Sequence, residues 1–170
     1  MIADEACVLE LIPQQPPFVL VHALISAAPT EFITSFTVRQ EHVLVENGRL
    51  TEAGLMENVA QSAALGIGYQ AHAAGHAAPL GFIGSIGHVT ITDRPRVGDR
   101  IVTTVLVRHQ VANPSTGSGQ VVHVIEGSVH LGERLLANME LKVVIMDTSA
   151  MPYQYGPPAA DKFFTPDEHG

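Results

Sequence analysis

The sequence predicts a single α+β domain in which one long helix lies against an antiparallel β-sheet. Three observations predict it. Residues 53–74 are apolar or small nearly all round at helical spacing. Four β-rich runs separated by turn signals follow that stretch, and two shorter β-rich runs precede it. The expected domain spans residues 1–150, and 151–170 form a tail carrying Pro152, Pro157, Pro158 and Pro166.

Each element has a local cause. Residues 3–11 bring Val8, Leu9, Leu11 and Ile12 near one face, a short helix stopped at Ile12-Pro13. The prolines of 13–17 predict an extended connector. Residues 18–27 (FVLVHALISA) read as a strand and 28–30 as a turn. Residues 32–38 alternate Phe32, Thr34, Phe36 and Val38 with Ile33, Ser35 and Thr37, the period of a second strand. The stretch 40–50 is irregular and contains an Asn47-Gly48 turn. Thr51 is placed to cap the long helix, with Glu52 favourably set against its dipole, and Gly75 to end it. Strands are expected at 81–91, 100–111, 119–131 and 134–146, with turns at 93–99, 112–119 and Gly132-Glu133. The predicted order is short helix, two strands, buried helix, four-strand meander.

Composition removes several function classes. Of 170 residues, 46% are hydrophobic and only 15% charged, and the net charge is -8. The basic residues are scattered apart from a loose group at 94–100, so the basic stripe of a nucleic-acid binder is missing. Cys7 is the sole cysteine, which excludes an internal disulfide and a thiolate metal cage. The N-terminus has no basic region ahead of an apolar run, so no secretory signal is read and a cytoplasmic location is expected. From Asn58 to Thr92 there is no Asp, Glu, Lys or Arg. Gln61, Ser62, Gln70, His72, His76 and several glycines interrupt that stretch, which suits a buried helix and strand rather than a membrane span. A helix apolar all round needs more cover than one chain of this size gives, so a homodimer or a higher even oligomer is expected. His72 and His76 have metal-ligand spacing but no third ligand nearby in sequence, and no metal is expected. Gly81, Gly84 and Gly87 do not form a dinucleotide fingerprint, and no Gly-x-Ser-x-Gly or Cys/His pair suggests covalent catalysis. No cofactor is expected.

Three motifs carry a resemblance. Leu9-Glu10-Leu11-Ile12-Pro13 with Pro17-Phe18-Val19-Leu20-Val21, then Glu57-Asn58-Val59-Ala60-Gln61, then Arg96-Val97-Gly98-Asp99 occur in this order along most of the chain. Together they resemble the bacterial 3-hydroxyacyl-[acyl-carrier-protein] dehydratases, and the branches accompanying aryl-polyene and flexirubin-type pigment synthesis in particular. The resemblance implies the hot-dog fold, a long helix wrapped by an antiparallel sheet. It implies reversible dehydration of a 3-hydroxyacyl thioester to the trans-2-enoyl thioester, without a cofactor and with acyl carrier protein as partner. In that family the base is a loop His before the helix, and the acid is the helix Glu of the other subunit.

The motif carries Glu57 over as the acid. His42 lies before it at close to the family's spacing and is the candidate base. The surrounding EHVLVENGRLTEAG differs from the family's Gly-His-Phe-Pro-type loop, and an ungapped alignment from residues 32–38 puts Glu46 or Asn47 at the His position instead. Gly54 is the candidate backbone amide for the thioester carbonyl. Asn47, Gln61, Phe82 and Ile83 complete the expected substrate contacts, with the acyl chain running beside the helix and strand 81–91. Plainer roles stand beside these. Glu57 reads equally as a buried carboxyl bonded to Gln61, Gln61 as a packing residue, Asn47 as a turn residue, and His42 as an ordinary loop histidine. A helper subunit of a dehydratase pair and a hot-dog thioesterase are the alternative functions. The 94–100 arginines are the expected dock for an acidic carrier protein.

Overall fold

A computed structural model describes residues 1–112 and 121–146. The expected turn at 113–119 and the tail at 151–170 lie outside the described residues. The elements are α1 (Glu5–Leu11), β1 (Ala23–Ala27), β2 (Glu31–Thr37), β3 (Val45–Glu46), β4 (Arg49–Leu50), α2 (Glu52–Ala73), β5 (Leu80–Ile91), β6 (Arg100–Ala112), β7 (Val121–Leu131) and β8 (Arg134–Met146).

The helix termini follow their sequence signals. Asp4 caps α1 by accepting from the Cys7 N–H, and Thr51 Oγ1 caps α2 by accepting from the Gly54 N–H. Gly75, at φ 77°, takes the left-handed position just past the end of α2. The stretch before α2 is less irregular than its composition suggests. Asn47 (φ 51°) and Gly48 (φ 70°) form a two-residue turn joining β3 to β4 in a small hairpin.

Six strands form one antiparallel sheet in the order β1-β2-β6-β7-β8-β5. This corrects the expected meander. β6, β7 and β8 are consecutive neighbours, but β5 pairs only with β8, at the far edge (Ile83↔Val143, Ile86↔Leu141, Ile91↔Ala137). The 92–99 connection then carries the chain back past the β3–β4 hairpin to a place beside β2, where Leu50 N–H donates to Pro95 O and Val97 N–H to Gly48 O.

α2 lies chiefly across β2 and β6, and its buried face meets Phe32, Phe36, Ile101, Val105, Ile125 and Val129. Contact is close where glycine permits it: a Cβ on Gly66 would sit 2.0 Å from the Phe32 ring, and one on Gly127 of β7 would sit 2.2 Å from Val59. α1 closes a second apolar cluster of Val8, Leu11, Val21, Leu24 and Leu65.

Three polar residues of α2, Asn58, Gln61 and Ser62, are fully buried. Buried polar atoms cost folding free energy unless paired, and these are paired. Ser62 Oγ donates to Asn58 O (2.7 Å), which leaves it to accept from Thr34 Oγ1 of β2 (2.7 Å). Thr103 Oγ1 of β6 donates to Asn58 Oδ1 (2.6 Å). Asn58 Nδ2 donates to Leu20 O (2.7 Å), and Gln61 Oε1 accepts from Leu20 N–H (2.7 Å). That arrangement explains a second correction: strand β1 begins at Ala23, not at residue 18. The backbone groups of Phe18 and Leu20 are taken by side chains of α2 and so are not offered to a neighbouring strand.

Candidate active site

Glu57 stands in the second turn of α2 and is half-buried. Its Oε1 accepts a hydrogen bond from Gln61 Nε2 (2.9 Å), one helical turn on. Gln61 Nε2 also donates to Phe18 O (2.8 Å). The plain pairing expected between Glu57 and Gln61 is therefore present. Among the described residues Oε2 of Glu57 has no hydrogen-bond partner. A carboxyl with one oxygen fixed and the other unengaged is suited to transferring a proton at the second.

The other sequence candidates are placed as follows. Gly54 is buried at the start of α2, and its N–H is taken by Thr51 Oγ1 (3.1 Å). Space is tight there, since a Cβ would meet Leu50 Cδ1 at 2.5 Å. Asn47 sits at the exposed tip of the β3–β4 hairpin. Phe82 and Ile83 lie on β5, 51% and 42% exposed. The structure brings Gln61 and Glu57 together, with Phe18 beside them. Sequence reasoning did not single out Asn58, Thr103, Thr34 or the Leu20 peptide. An Asn inside an apolar, uncharged helix stretch was the one available signal for this network.

His42 is buried between α2's neighbour strand and the chain at Val19. Its ring packs edge-on to Phe36 (5.7 Å between centroids). Nδ1 accepts from the Leu44 N–H (3.1 Å), so the neutral ring carries its proton on Nε2. That nitrogen is buried and makes no hydrogen bond of good geometry among the described residues, the Val19 carbonyl being only a weak partner. Burial pushes the His42 pKa below the ordinary 6.5, against opposing pulls from the Val19 carbonyl and Glu41. His22 packs on the same Phe36 ring (4.7 Å), and its Nδ1 accepts from Thr37 N–H. Its pKa is lowered by burial and then by Arg39, with Glu5 opposing. Burial also lowers that of His123 on β7.

These shifts have a stability consequence with a definite sign. The unfolded chain binds protons at these imidazoles near pH 6.5, whereas the folded chain resists them until lower pH. Their contribution is fully present above that value and is lost as the pH falls below it. Tm should therefore drop between pH 7.5 and 5.5, and His42→Asn should flatten that slope. A Tm that rises on acidification over this window would contradict the assignment.

Among the described residues no cluster of His, Cys, Asp and Glu could hold a metal ion, and no helix is long and apolar enough to cross a membrane. Of the arginines at 94–100, Arg94 stands beside the N-terminus of α2, while Arg100 donates to Ser35 Oγ of β2 (3.1 Å). Arg94 pairs with Glu52 (3.4 Å), Asp93 bridges Arg49 (3.0 Å) and Arg134 (2.9 Å), and Arg96 is exposed.

One long helix laid across a six-stranded antiparallel sheet is the hot-dog fold. Residues 6–151 match the ApeP-like family, described as ApeP dehydratase, and the chain belongs to that family. Among solved structures it is similar to a chain of the dehydratase heterocomplex ApeI:P from Xenorhabdus doucetiae, with a TM-score of 0.71 at 18% identity over 82% of this chain and 91% of that one. It is also similar to the E. coli PaaI protein from the phenylacetic acid degradation operon (TM-score 0.52, 15% identity, 74% of this chain and 79% of that one). Thioesterase superfamily member 2 from Mus musculus gives a TM-score of 0.52 at 15% identity, over 74% of this chain and 81% of that one. No curated protein matches the sequence.

Proposed function

We propose that this chain is a subunit of a dehydratase that converts a 3-hydroxyacyl thioester, carried on acyl carrier protein, to the trans-2-enoyl thioester and water. The observation that carries this reading is Glu57, a half-buried carboxyl with Oε1 held by Gln61 and Oε2 unengaged, on the long helix of a dehydratase-family fold. Its role is to protonate the departing hydroxyl. The α-proton leaves to a base. His42 takes that role only if its ring turns or its proton moves from Nε2, because Nδ1 is occupied by the Leu44 N–H. An imidazole from a partner of different sequence that retains the family's His loop is the simpler source, which favours the paired-subunit reading over a self-sufficient homodimer.

β5 supports that pairing. Among the described residues no strand lies on its outer edge, and Phe82, Ile83, Ile86 and Val89 are each more than 40% exposed. Ile83 and Ile86 pair with Val143 and Leu141, whose side chains are buried in the core that α2 covers, so they stand on the helix side of the sheet and yet stay exposed. That uncovered apolar strip suits the acyl chain and a second hot-dog subunit. A cytoplasmic location goes with this reading, since its substrate is carried on acyl carrier protein.

The test is to supply a 3-hydroxyacyl-carrier substrate to the protein with its co-expressed partner subunit and follow the conjugated enoyl chromophore. Release of free thiol instead would establish the thioesterase alternative. Replacing Arg94 and Arg96 together should raise KM for the carrier-linked substrate about tenfold, as expected for lost charge-assisted contacts. It should leave KM for a pantetheine thioester unchanged, and an unchanged KM for both substrates would reject this docking site.

A further inference from the structure

We infer that Gln61 is a positioning residue that fixes the Glu57 carboxyl and directs its transferable proton to Oε2. This rests on the dehydratase role of Glu57 proposed above and adds which oxygen acts and what selects it.

The orientation of the Gln61 amide is fixed by two backbone partners of opposite kind. Leu20 N–H is a donor and faces Oε1 (2.7 Å), while Phe18 O is an acceptor and faces Nε2 (2.8 Å). Turning the amide over would set N–H against N–H and oxygen against oxygen at once, inside a fully buried side chain. Nε2 has two hydrogens. One goes to Phe18 O, and the second goes to Glu57 Oε1 (2.9 Å). Oε1 therefore always faces a donor. A proton placed on Oε1 would leave that oxygen a weaker acceptor for the Gln61 N–H, so the bond directs the proton of the acid to Oε2.

The frame behind this bond is rigid. The Leu20 peptide is held at its N–H by Gln61 and at its carbonyl by Asn58 Nδ2, and Asn58 is tied to β6 through Thr103. Glu57 is thus oriented by a clamp that reaches the sheet, while no described side chain competes for Oε2. A general acid gains from such fixing because a displacement of about 1 Å can lower the rate about 100-fold.

The experiment compares Gln61→Met with Thr34→Val in the co-expressed complex, using a 3-hydroxyacyl pantetheine thioester. Both variants remove buried hydrogen bonds of α2 and lower Tm, but only the first touches Glu57. Gln61→Met should lower kcat about 100-fold with KM within about twofold, while Thr34→Val keeps the wild-type kcat. Losses of kcat that track the fall in Tm in both variants would overturn the inference and leave Gln61 a packing residue. A second measurement is independent of turnover. The side-chain NH₂ resonances of 15N-labelled Gln61 should shift on Glu57→Ala and stay in place on Thr34→Val. If the wild-type complex shows no dehydration but these resonances respond as stated, the functional reading fails and the positioning geometry stands. If they do not move on Glu57→Ala, the hydrogen bond and the inference are both wrong.

Discussion

Glu57→Gln is expected to lower kcat for dehydration about 1,000-fold, within the range that general acids contribute, while the Tm changes by no more than a few degrees. The asymmetry follows from what Glu57 touches. Among the described residues its one side-chain hydrogen bond runs from Gln61 Nε2 to Oε1, and the carbonyl oxygen of a glutamine at position 57 accepts that bond equally well. The other end of the new amide occupies the unengaged Oε2 position, so no buried partner is left without a mate. The fold loses almost nothing, and the reaction loses its proton. The measurement is a pair: enoyl formation in the assembled protein, and thermal unfolding of the same sample. Turnover within threefold of wild type would remove Glu57 from the mechanism. A Tm lowered by 10 °C or more, on the order of several kcal/mol for a chain of this size, would mean that the carboxyl is structural.

Gly66→Ala is expected to destabilise the protein by about 2–4 kcal/mol, although alanine is the better helix former by about 1 kcal/mol. Two effects oppose each other here, and distance decides between them. The added Cβ would lie 2.0–2.4 Å from three atoms of the Phe32 ring, far inside van der Waals contact. Phe32 is fully buried on β2, held between β1 and β6 by its pairing with Ala27 and Val105, so the ring has nowhere to go. The helix must lift from the sheet, and with it the stretch that carries Gln61 and Glu57. Denaturant unfolding measures the loss directly. Phe32→Leu in the Gly66→Ala background should recover part of it, because the smaller side chain clears the new methyl group. Gly66→Ala as stable as wild type would show that Phe32 repacks freely.

What could be foreseen from the sequence divides by the range of the interaction responsible. α2 was expected at residues 53–74 and spans Glu52–Ala73, because its cap at Thr51 and its stop at Gly75 are contacts within one turn. The Asn47-Gly48 turn and the bounds of β8 were readable for the same reason. The place of β5 beside β8 was not, since that pairing joins residues more than forty positions apart and competes with an equally plausible sequential neighbour. Residues 18–22 have a strand-like composition yet form no strand, because α2 takes their backbone groups. The site divides likewise. Glu57 and Gln61 share one helix face and were legible as a pair. Asn58 was not, because its partners Leu20 and Thr103 lie 38 and 45 residues away. His42 was judged by its distance from Glu57 along the chain, whereas its chemistry is set by the Leu44 N–H two residues on.

The open edge of β5 bears on how the protein is made as well as on what it binds. Phe82, Ile83, Ile86 and Val89 lie on a strand whose outer edge no other described strand covers. An orphan copy offers newly made chains a template for unwanted strand addition, and offers chaperones and proteases a recognisable handle. On the proposed pairing, copies left without a partner are expected to be cleared or to aggregate instead of accumulating as a folded reserve. If β5 is the pairing edge proposed above, the cellular amount of this protein follows that of whatever covers the edge, and balanced synthesis of the two becomes a requirement written into a single strand.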